Sequence, residues 1–471
     1  MKFRRIPKPT QWFSEDYFSA PTDFSESGCT YCEPMLAKEI TKDTEQDRCF
    51  KSSNFYVEEK FDGTRGILQF FDNNILHLDC VPDTQRGFTR CFSRRISKKT
   101  NWFCENTDSV PHLRDIDVPE LAGTIIDGEM FIDGRPFKDV AATLNCTWDK
   151  AVDKQRTLGK ITFHAFDILR YKNINTEKMP LYKRKEYLQR VVDAVHSPNL
   201  IMVKYFQEDG IEIHLYGKDY KKLSHNKEEY SELWKQVQKQ MPLSEKGLKD
   251  NYWTKYKVSK RAYYEFIILT GGEGVILKPI DGKYYHKRGN EYLKVKKFLT
   301  REVIVTGFIE PTVDYNGGLP RDAWPYWVNQ KHVRMSVEKM QNMSAKELKA
   351  EGYIPVTKFF YYDQIGEIEY GVILDDPKAL PVDKQFIVKK LTLSNGNTYD
   401  IVVVGECGGI TDEEREYISN HQADTIGKVI EVKANELFKD TGKLRHPRFL
   451  RFREDKNIEE CTWENHVGVS V

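Results

Sequence analysis

Short runs in which apolar and polar positions alternate recur along most of this chain. Phe55–Glu59, Arg65–Phe71, Gly123–Ile132, Lys160–Leu169 and Gly274–Pro279 read as β-strands. Between them the period lengthens to that of a helix. Pro180 opens one helix, with Leu181, Leu188, Val191 and Val195 on one face, and Tyr230, Leu233, Trp234, Val237 and Met241 form a second stripe. Both stripes predict core packing. Near Thr300 the texture changes: Val303–Ile309, Gly366–Leu374, Asp383–Leu393, Asp400–Val404 and Gly427–Val432 read as strands, with one helix predicted by the capping pair Thr411 and Glu414. Strands of this number with one helix suit an OB barrel. Ser344 and Glu347 repeat the capping device inside about 312–365, a stretch that interrupts the strands and reads as an insertion. The expected organisation is an extension over 1–32, rich in Pro, Ser and Thr, a mixed α+β domain with antiparallel sheets over 33–300, and an all-β domain with its insertion over 301–471.

Composition narrows the function classes. The 471 residues carry 72 Lys+Arg against 71 Asp+Glu, a formal charge of +1, which excludes a strongly basic coat for nucleic acid and an acidic disordered tail. Hydrophobic content of 39% and aromatic content of 13% allow real cores. No run approaches the roughly 18 apolar residues of a membrane span, and Met1–Tyr17 has no apolar signal-type stretch. A cytoplasmic protein with no membrane partner is expected. Nine cysteines, an odd number and scattered, make a poor disulfide framework. Cys29 and Cys32 could form half a zinc site, but Cys49, His77 and Cys80 are only loose partners, so free thiols are expected.

The strongest local signal is Lys60-Phe61-Asp62-Gly63-Thr64-Arg65. A lysine ending a strand before a glycine turn presents an amine to a cleft, where it can act as a nucleophile. Downstream, in order, come Asp127-Gly128-Glu129, Phe163-His164-Ala165-Phe166-Asp167, Glu273-Gly274-Val275-Ile276-Leu277-Lys278, Leu293-Lys294-Val295-Lys296, and a final basic run ending Arg453-Glu454-Asp455-Lys456. With Glu33-Pro34-Met35-Leu36-Ala37 ahead of them, these segments resemble the ordered motifs of the covalent nucleotidyltransferases, and specifically of the ATP-dependent DNA ligases, over about 33–456.

The resemblance implies a nucleotidyltransferase domain followed by an OB-fold domain, and assigns roles residue by residue. Lys60 would attack the α-phosphate of ATP, with Asp62 beside it in the motif. Lys294 and Lys296, on one face of a strand, would neutralise that phosphate. Glu129 and Glu273 would hold Mg²⁺ or Mn²⁺, as hard oxygen ligands suit. Phe166 would stack on adenine, Glu58 would sit near its amino group, and Lys278 would complete the nucleotide pocket. Arg65 would contact ribose or the nick, and Arg453 and Lys456 the β- and γ-phosphates. The implied reaction is the sealing of 3′-OH/5′-phosphate nicks in double-stranded DNA through lysyl-AMP and DNA-adenylate, by a monomer. RNA ligases and mRNA-capping enzymes share the lysine motif and remain alternatives, as does a non-catalytic nick-binding protein.

Local charge supports a DNA partner. Arg86, Arg90, Arg94, Arg95, Lys98 and Lys99 lie together without an acid among them, and Phe92-Ser93-Arg94-Arg95 resembles the ligase segment that grips the strand near the nick. Further concentrations, one including Arg288, lie at Lys283–Lys297 and Lys443–Arg453. Such clusters matter more for phosphate neutralisation than global charge does. The chain begins too near Lys60 for the large helical DNA-binding domain of longer ligases. The insertion, or the stretch Asp219–Ser259 read as helical, is expected to help clamp duplex instead.

Overall fold

The computed structural model describes residues 34–70, 89–97, 102–172, 174–245, 248–315, 324–329, 331–335, 343–393 and 396–468, with the side chains of 95–97 and 102–103 excepted. The extension 1–32, the Cys29/Cys32 pair, His77, Cys80, Arg86, Lys98, Lys99 and the side chain of Arg95 therefore lie outside the described residues. The chain divides into two compact units, Met1–Lys296 and Lys297–Val471.

The first unit contains β1 (Leu36–Glu39), β2 (Phe55–Lys60), β3 (Thr64–Phe70), β4 (Thr89–Ser97), β5 (Trp102–Glu105), β6 (Ile125–Phe131) and β7 (Thr162–Tyr171). Then follow β8 (Ile174–Asn175), β9 (Leu200–Met202), β10 (Tyr205–Phe206), β11 (Ile211–Tyr216), β12 (Trp253–Val258), β13 (Gly274–Pro279) and β14 (Arg288–Lys296). They build a five-stranded sheet, β1-β14-β13-β2-β10, and a second sheet running β5-β4-β3-β6-β7-β8, with β9 also on β7. Most pairs are antiparallel as expected, but β1–β14 and β7–β9 are parallel.

Strand alternation decides which face each side chain takes. In the first sheet Val57, Val275, Leu277, Leu293 and Val295 turn outward. They are buried with Cys49 and Phe50 of helix Asp43–Lys51, with Ala262, Ile267 and Leu269 of helix Lys260–Leu269, and with the β11–β12 ribbon. In the second sheet Leu68, Ile126, Met130 and Phe163 turn away from the first and pack on Val140, Leu144, Leu188 and Val191 of two helices. Between the sheets lies a small core of Met35, Ile67, Ile125, Leu169, Tyr284 and Tyr292, with Ile276 and Phe166 against it. Glu58, Lys60, Arg65, Asp127, Glu129, Lys278, Lys294 and Lys296 take further inward positions, and they form the site.

The helix opened by Pro180 runs Leu181–Val195, with the proline as its N-cap residue. One reading of this unit needs correction: the stretch Asp219–Ser259 is not wholly helical. After helices Gly217–His225 and Ser231–Gln240 it ends in β12, whose Thr254, Tyr256 and Val258 face the core while Trp253, Lys255 and Lys257 face solvent. A period of two in Trp253–Val258 carried that signal.

The second unit contains β15 (Leu299–Ile309), β16 (Trp327–Asn329), β17 (Tyr353–Pro355), β18 (Glu367–Ile373), β19 (Ile387–Thr392), β20 (Thr398–Cys407), β21 (Val429–Ala434), β22 (Glu436–Phe438), β23 (Lys443–Arg445) and β24 (Arg448–Phe452). The main sheet runs β19-β20-β18-β15-β21-β24. A parallel bridge between Gly408 and Arg448, with Phe449 N donating to Gly408 O, ties the end of β20 to β24. That link closes the circuit β15-β18-β20-β24-β21, the connectivity of an OB fold, and helix Asp412–Asn420 sits between its third and fourth strands. The barrel's fifth strand is thus β24, inside the last basic run. The run expected at Asp383–Leu393 is instead an added edge strand, β19. Both capping boxes form, at Thr411/Glu414 and Ser344/Glu347. Within 312–365, β16 pairs with β17 over a small core of Trp327, Met335, Ala345 and Leu348.

Candidate active site

Register brings the lysines together. Lys60 at the end of β2 lies opposite Gly274, which lies opposite Lys296; one step inward, Glu58, Ile276 and Lys294 form the next row. Glu58, Lys60, Ile276, Lys278, Lys294 and Lys296 therefore share the inner face of the first sheet. Gly274 has φ +145°, and a Cβ there would lie 2.2 Å from the carbonyl oxygen of Val295, so glycine alone fits between Glu273 and the paired strands. Opposite, Arg65 of β3 pairs with Glu129 of β6. Gly128 is needed because a Cβ would meet the Phe163 ring at 2.3 Å.

These rows wall a cleft open to solvent and lined by Glu58, Lys60, Arg65, Glu129, Phe166 and Lys278 among others. The Lys60 ammonium is ion-paired with Glu273. Glu58 is buried, with one oxygen 2.6 Å from Lys278 Nζ and the other 2.6 Å from Lys185 Nζ. Lys278 Nζ also lies 4.5 Å over the Phe166 ring, and the Arg65 guanidinium 4.6 Å from the centre of that ring. Lys294 and Lys296 stand 3.4 and 4.0 Å from Glu39 of β1. Asp62 occupies the half-buried turn after Lys60.

The electrostatics follow from burial. Burial lifts the Glu129 carboxyl to about 7, with Arg65 and Lys60 opposing the rise and Glu273 and Asp127 adding to it. Burial also lowers Lys278 to about 8, reinforced by Lys185 and opposed by Glu58, and lowers Lys296 to about 8, reinforced by Lys294. Two carboxylates, Glu129 and Glu273, thus stand near each other and near the amine. Among the described residues no group of three or more His, Cys, Asp or Glu side chains could hold a metal alone. A hard divalent cation that keeps several waters and shares substrate phosphate needs only one or two carboxylates, so the pair fits Mg²⁺ in that mode.

Behind the cleft lie residues to which the motif reading gives no role. Asp127 and Asp167 sit opposite each other in β6 and β7, both fully buried. Asp127 takes a two-pronged ion pair from Arg65, 2.6 Å on each oxygen, and the Tyr284 hydroxyl at 2.6 Å. Asp167 takes Arg184 at 2.7 and 3.0 Å and the hydroxyl of Tyr292. Lys185 donates to the Phe166 carbonyl oxygen at 2.9 Å as well as pairing with Glu58. Its signal was present: Lys185 follows Leu181 by one turn and precedes Leu188 on the apolar stripe, where a charge has no reason to be without a partner.

The basic concentrations divide on inspection. Arg90 is buried and forks onto Glu105 at 2.9 and 2.7 Å, so it does not belong to an open patch. Arg94, Lys283, Lys287 and Arg288 are exposed, the last donating to Ala37 O. In the second unit Lys443 and Arg448 are exposed, and Arg451 is exposed and pairs with Glu431. Arg453 forks onto Asp455 at 2.8 Å and also meets Glu302, which lies 3.6 Å from Lys456.

An amine at a strand end, beside two carboxylates in a charged cleft, with an OB unit following, is the architecture of a covalent nucleotidyltransferase. Residues 34–214 match the family model of the ATP dependent DNA ligase domain. It is 22% identical over 286 residues to the SPbeta prophage-derived DNA ligase-like protein LigB of Bacillus subtilis, spanning 60% of this chain and 74% of that protein. Among solved structures, a Lig E DNA ligase is 16% identical and covers 89% of this chain and 98% of its own, at a TM-score of 0.43. The bacteriophage T7 ligase in complex with ATP is 13% identical and covers 89% and 98%, at 0.35. These overlaps are too loose to carry an argument, and the match over 34–214 concerns the first unit alone. Among the described residues no helix is long and apolar enough to cross a membrane, and Cys49, Cys91, Cys104, Cys146, Cys407 and Cys461 are free thiols.

Proposed function

We propose that this chain seals nicks in duplex DNA, using ATP as the donor of AMP, as a cytoplasmic monomer serving DNA replication, repair or recombination. The observation that carries the reading is Lys60 on Glu273 at the wall of the cleft. Three steps follow. The neutral Lys60 amine attacks the α-phosphorus of ATP, forming a P–N bond and expelling pyrophosphate. The 5′-phosphate of the nick then attacks the same phosphorus and releases the lysine. The 3′-hydroxyl finally attacks the adenylated 5′-phosphate, forming the phosphodiester and expelling AMP.

Lys294 and Lys296 neutralise the α-phosphate, while negative charge gathers on the oxygen that departs with pyrophosphate. Phe166 offers its face to adenine, and Glu58, fixed by Lys185 and Lys278, accepts from its amino group. Arg453 and Lys456 take the outer phosphates. Arg94, Arg95 and Arg288 meet DNA phosphates, and Arg65 the ribose or the nick. A divalent ion, held by Glu129 and Glu273 with the phosphates, would supply Lewis-acid polarisation. Its charge would also favour the ionised form of Glu129, which burial alone disfavours.

The direct test offers the protein ATP or GTP with Mg²⁺, then nicked duplexes with DNA or RNA strands. Sealing of the DNA nick with ATP is expected; labelling by GTP without sealing would reject the assignment in favour of a capping-type enzyme. A second expectation concerns Lys185. Lys185→Met removes one of the two ammoniums holding Glu58 and the tie to Phe166, so the KM for ATP in self-adenylation rises on the order of tenfold while kcat changes little. An unaltered KM would show that Lys185 does not support base binding.

A further inference from the structure

Glu39 belongs to none of the motifs, yet its carboxylate is the anion on both inner-face lysines of β14. The register of β1 on β14 shifts between Ala37 and Lys38, and the shift sets Glu39 opposite Lys294. One Glu39 oxygen lies 3.4 Å from Lys294 Nζ and 4.0 Å from Lys296 Nζ. The lysines are well shielded, at 22% and 8% exposure, while Glu39 remains at 28%. Two cations this sheltered and two positions apart repel each other, and a carboxylate between them relieves that repulsion. A phosphoryl group seated on the same two ammoniums would do the same with more charge, and a carboxylate beside it would then repel it.

We propose that Glu39 is an internal stand-in for the nucleotide α-phosphate: it holds Lys294 and Lys296 in the empty cleft, and it gives up that contact when the phosphate arrives. Glu39 therefore sets nucleotide affinity without taking part in bond making. The proposal rests on the nucleotidyl-transfer reading of the cleft. It predicts a trade: the contact keeps two lysines aligned and charged before substrate binds, and it weakens the grip on AMP, the product that must leave after sealing.

The second unit repeats the arrangement, where Glu302 meets both Arg453 and Lys456. The two acids are separable by ligand, because AMP has no outer phosphates for Arg453 and Lys456 to take.

The experiment is calorimetric titration of AMP and of adenosine into the wild-type chain, Glu39→Gln and Glu302→Gln. Glu39→Gln should bind AMP roughly two- to fivefold more tightly, the range of a partly exposed ion pair. Adenosine, lacking phosphate, should bind wild type and Glu39→Gln alike, and Glu302→Gln should leave AMP affinity unchanged. AMP binding by Glu39→Gln that is equal to or weaker than wild type overturns the proposal; weaker binding would mean that the acid only aligns the lysines. Tighter binding of adenosine as well would overturn it too, by tracing the effect to the base pocket. Failure of the wild-type chain to bind AMP at all would instead overturn the nucleotidyl-transfer reading, and this inference with it.

Discussion

Lys60→Ala should leave no AMP on the protein. With labelled ATP and Mg²⁺, the covalent adenylate of the wild-type chain is expected to vanish in the variant, a loss of at least roughly a thousandfold, because no other group can replace a missing nucleophile. The neighbouring amines cannot substitute for it. Lys278 is buried on Glu58, and Lys294 and Lys296 lie two strands away from β2, on Glu39. Lys60→Arg should behave like alanine, since a guanidinium stays protonated and cannot attack. A second readout separates chemistry from folding. The last step joins a nick whose 5′-phosphate already carries AMP, and it uses the 3′-hydroxyl rather than Lys60. Lys60→Ala should therefore still seal a pre-adenylated nick while failing on the plain one. Label persisting on the variant would remove Lys60 from its role; failure on both nicks together with a lost unfolding transition would point to misfolding.

The contrast between what was legible in the sequence and what was not has a physical basis. Lys60 stands out as an amine ending a strand before a glycine turn, while Glu129, Phe166, Lys278, Lys294 and Lys296 stand out through the order of the segments that resemble the ligase motifs. Strand periodicity told that Lys294 and Lys296 share a face, and the structure puts Glu58, Lys60, Arg65, Glu129, Phe166 and Lys278 around one cleft. Partnerships across distant segments were not legible. Arg90 looked like part of a basic patch because its acid, Glu105, comes from the next strand. Lys185 betrays itself only as a charge on an apolar stripe, and Glu39 looks like an ordinary surface charge, until helix Leu181–Val195 and β1 bring them to Glu58 and to β14. In the second unit the error was one of choosing among short strands. β19 and β24 have similar patterns, and only the Gly408–Arg448 bridge tells which closes the barrel.

The largest effect on stability should come from Asp167, which ends the segment Phe163–Asp167 without a role in the motif reading. Burial by itself would raise its carboxyl; the Arg184 guanidinium, helped by Lys278 and the Tyr292 hydroxyl, overrides that and brings it to about 2. Its partner Arg184 is 1% exposed and spends its remaining bonds on the carbonyl oxygens of Met179 and Gly282, at 2.6 and 2.7 Å. Asp167→Ala therefore leaves a buried guanidinium without its counter-ion, a defect that destabilises by about 3–5 kcal/mol. Its unfolding midpoint should fall on the order of 10 °C. Asp167→Leu combined with Arg184→Met removes both charges, and it should recover most of the loss, because the penalty lies in the unpaired charge more than in the missing bond. The sign of the acid response follows from the same shift. The folded carboxyl titrates below its unfolded value of 3.8, so the stability it contributes is present above about pH 4 and lost as pH falls towards 2. Denaturant melts at pH 7 and pH 3 on wild type, Asp167→Ala and the double variant test all of this. A single variant within 1 kcal/mol of wild type, or a double variant no better than the single, would show that the Asp167–Arg184 pair does not hold β7 to helix Leu181–Val195; equal losses at both pH values would show that its contribution is not the ionised pair.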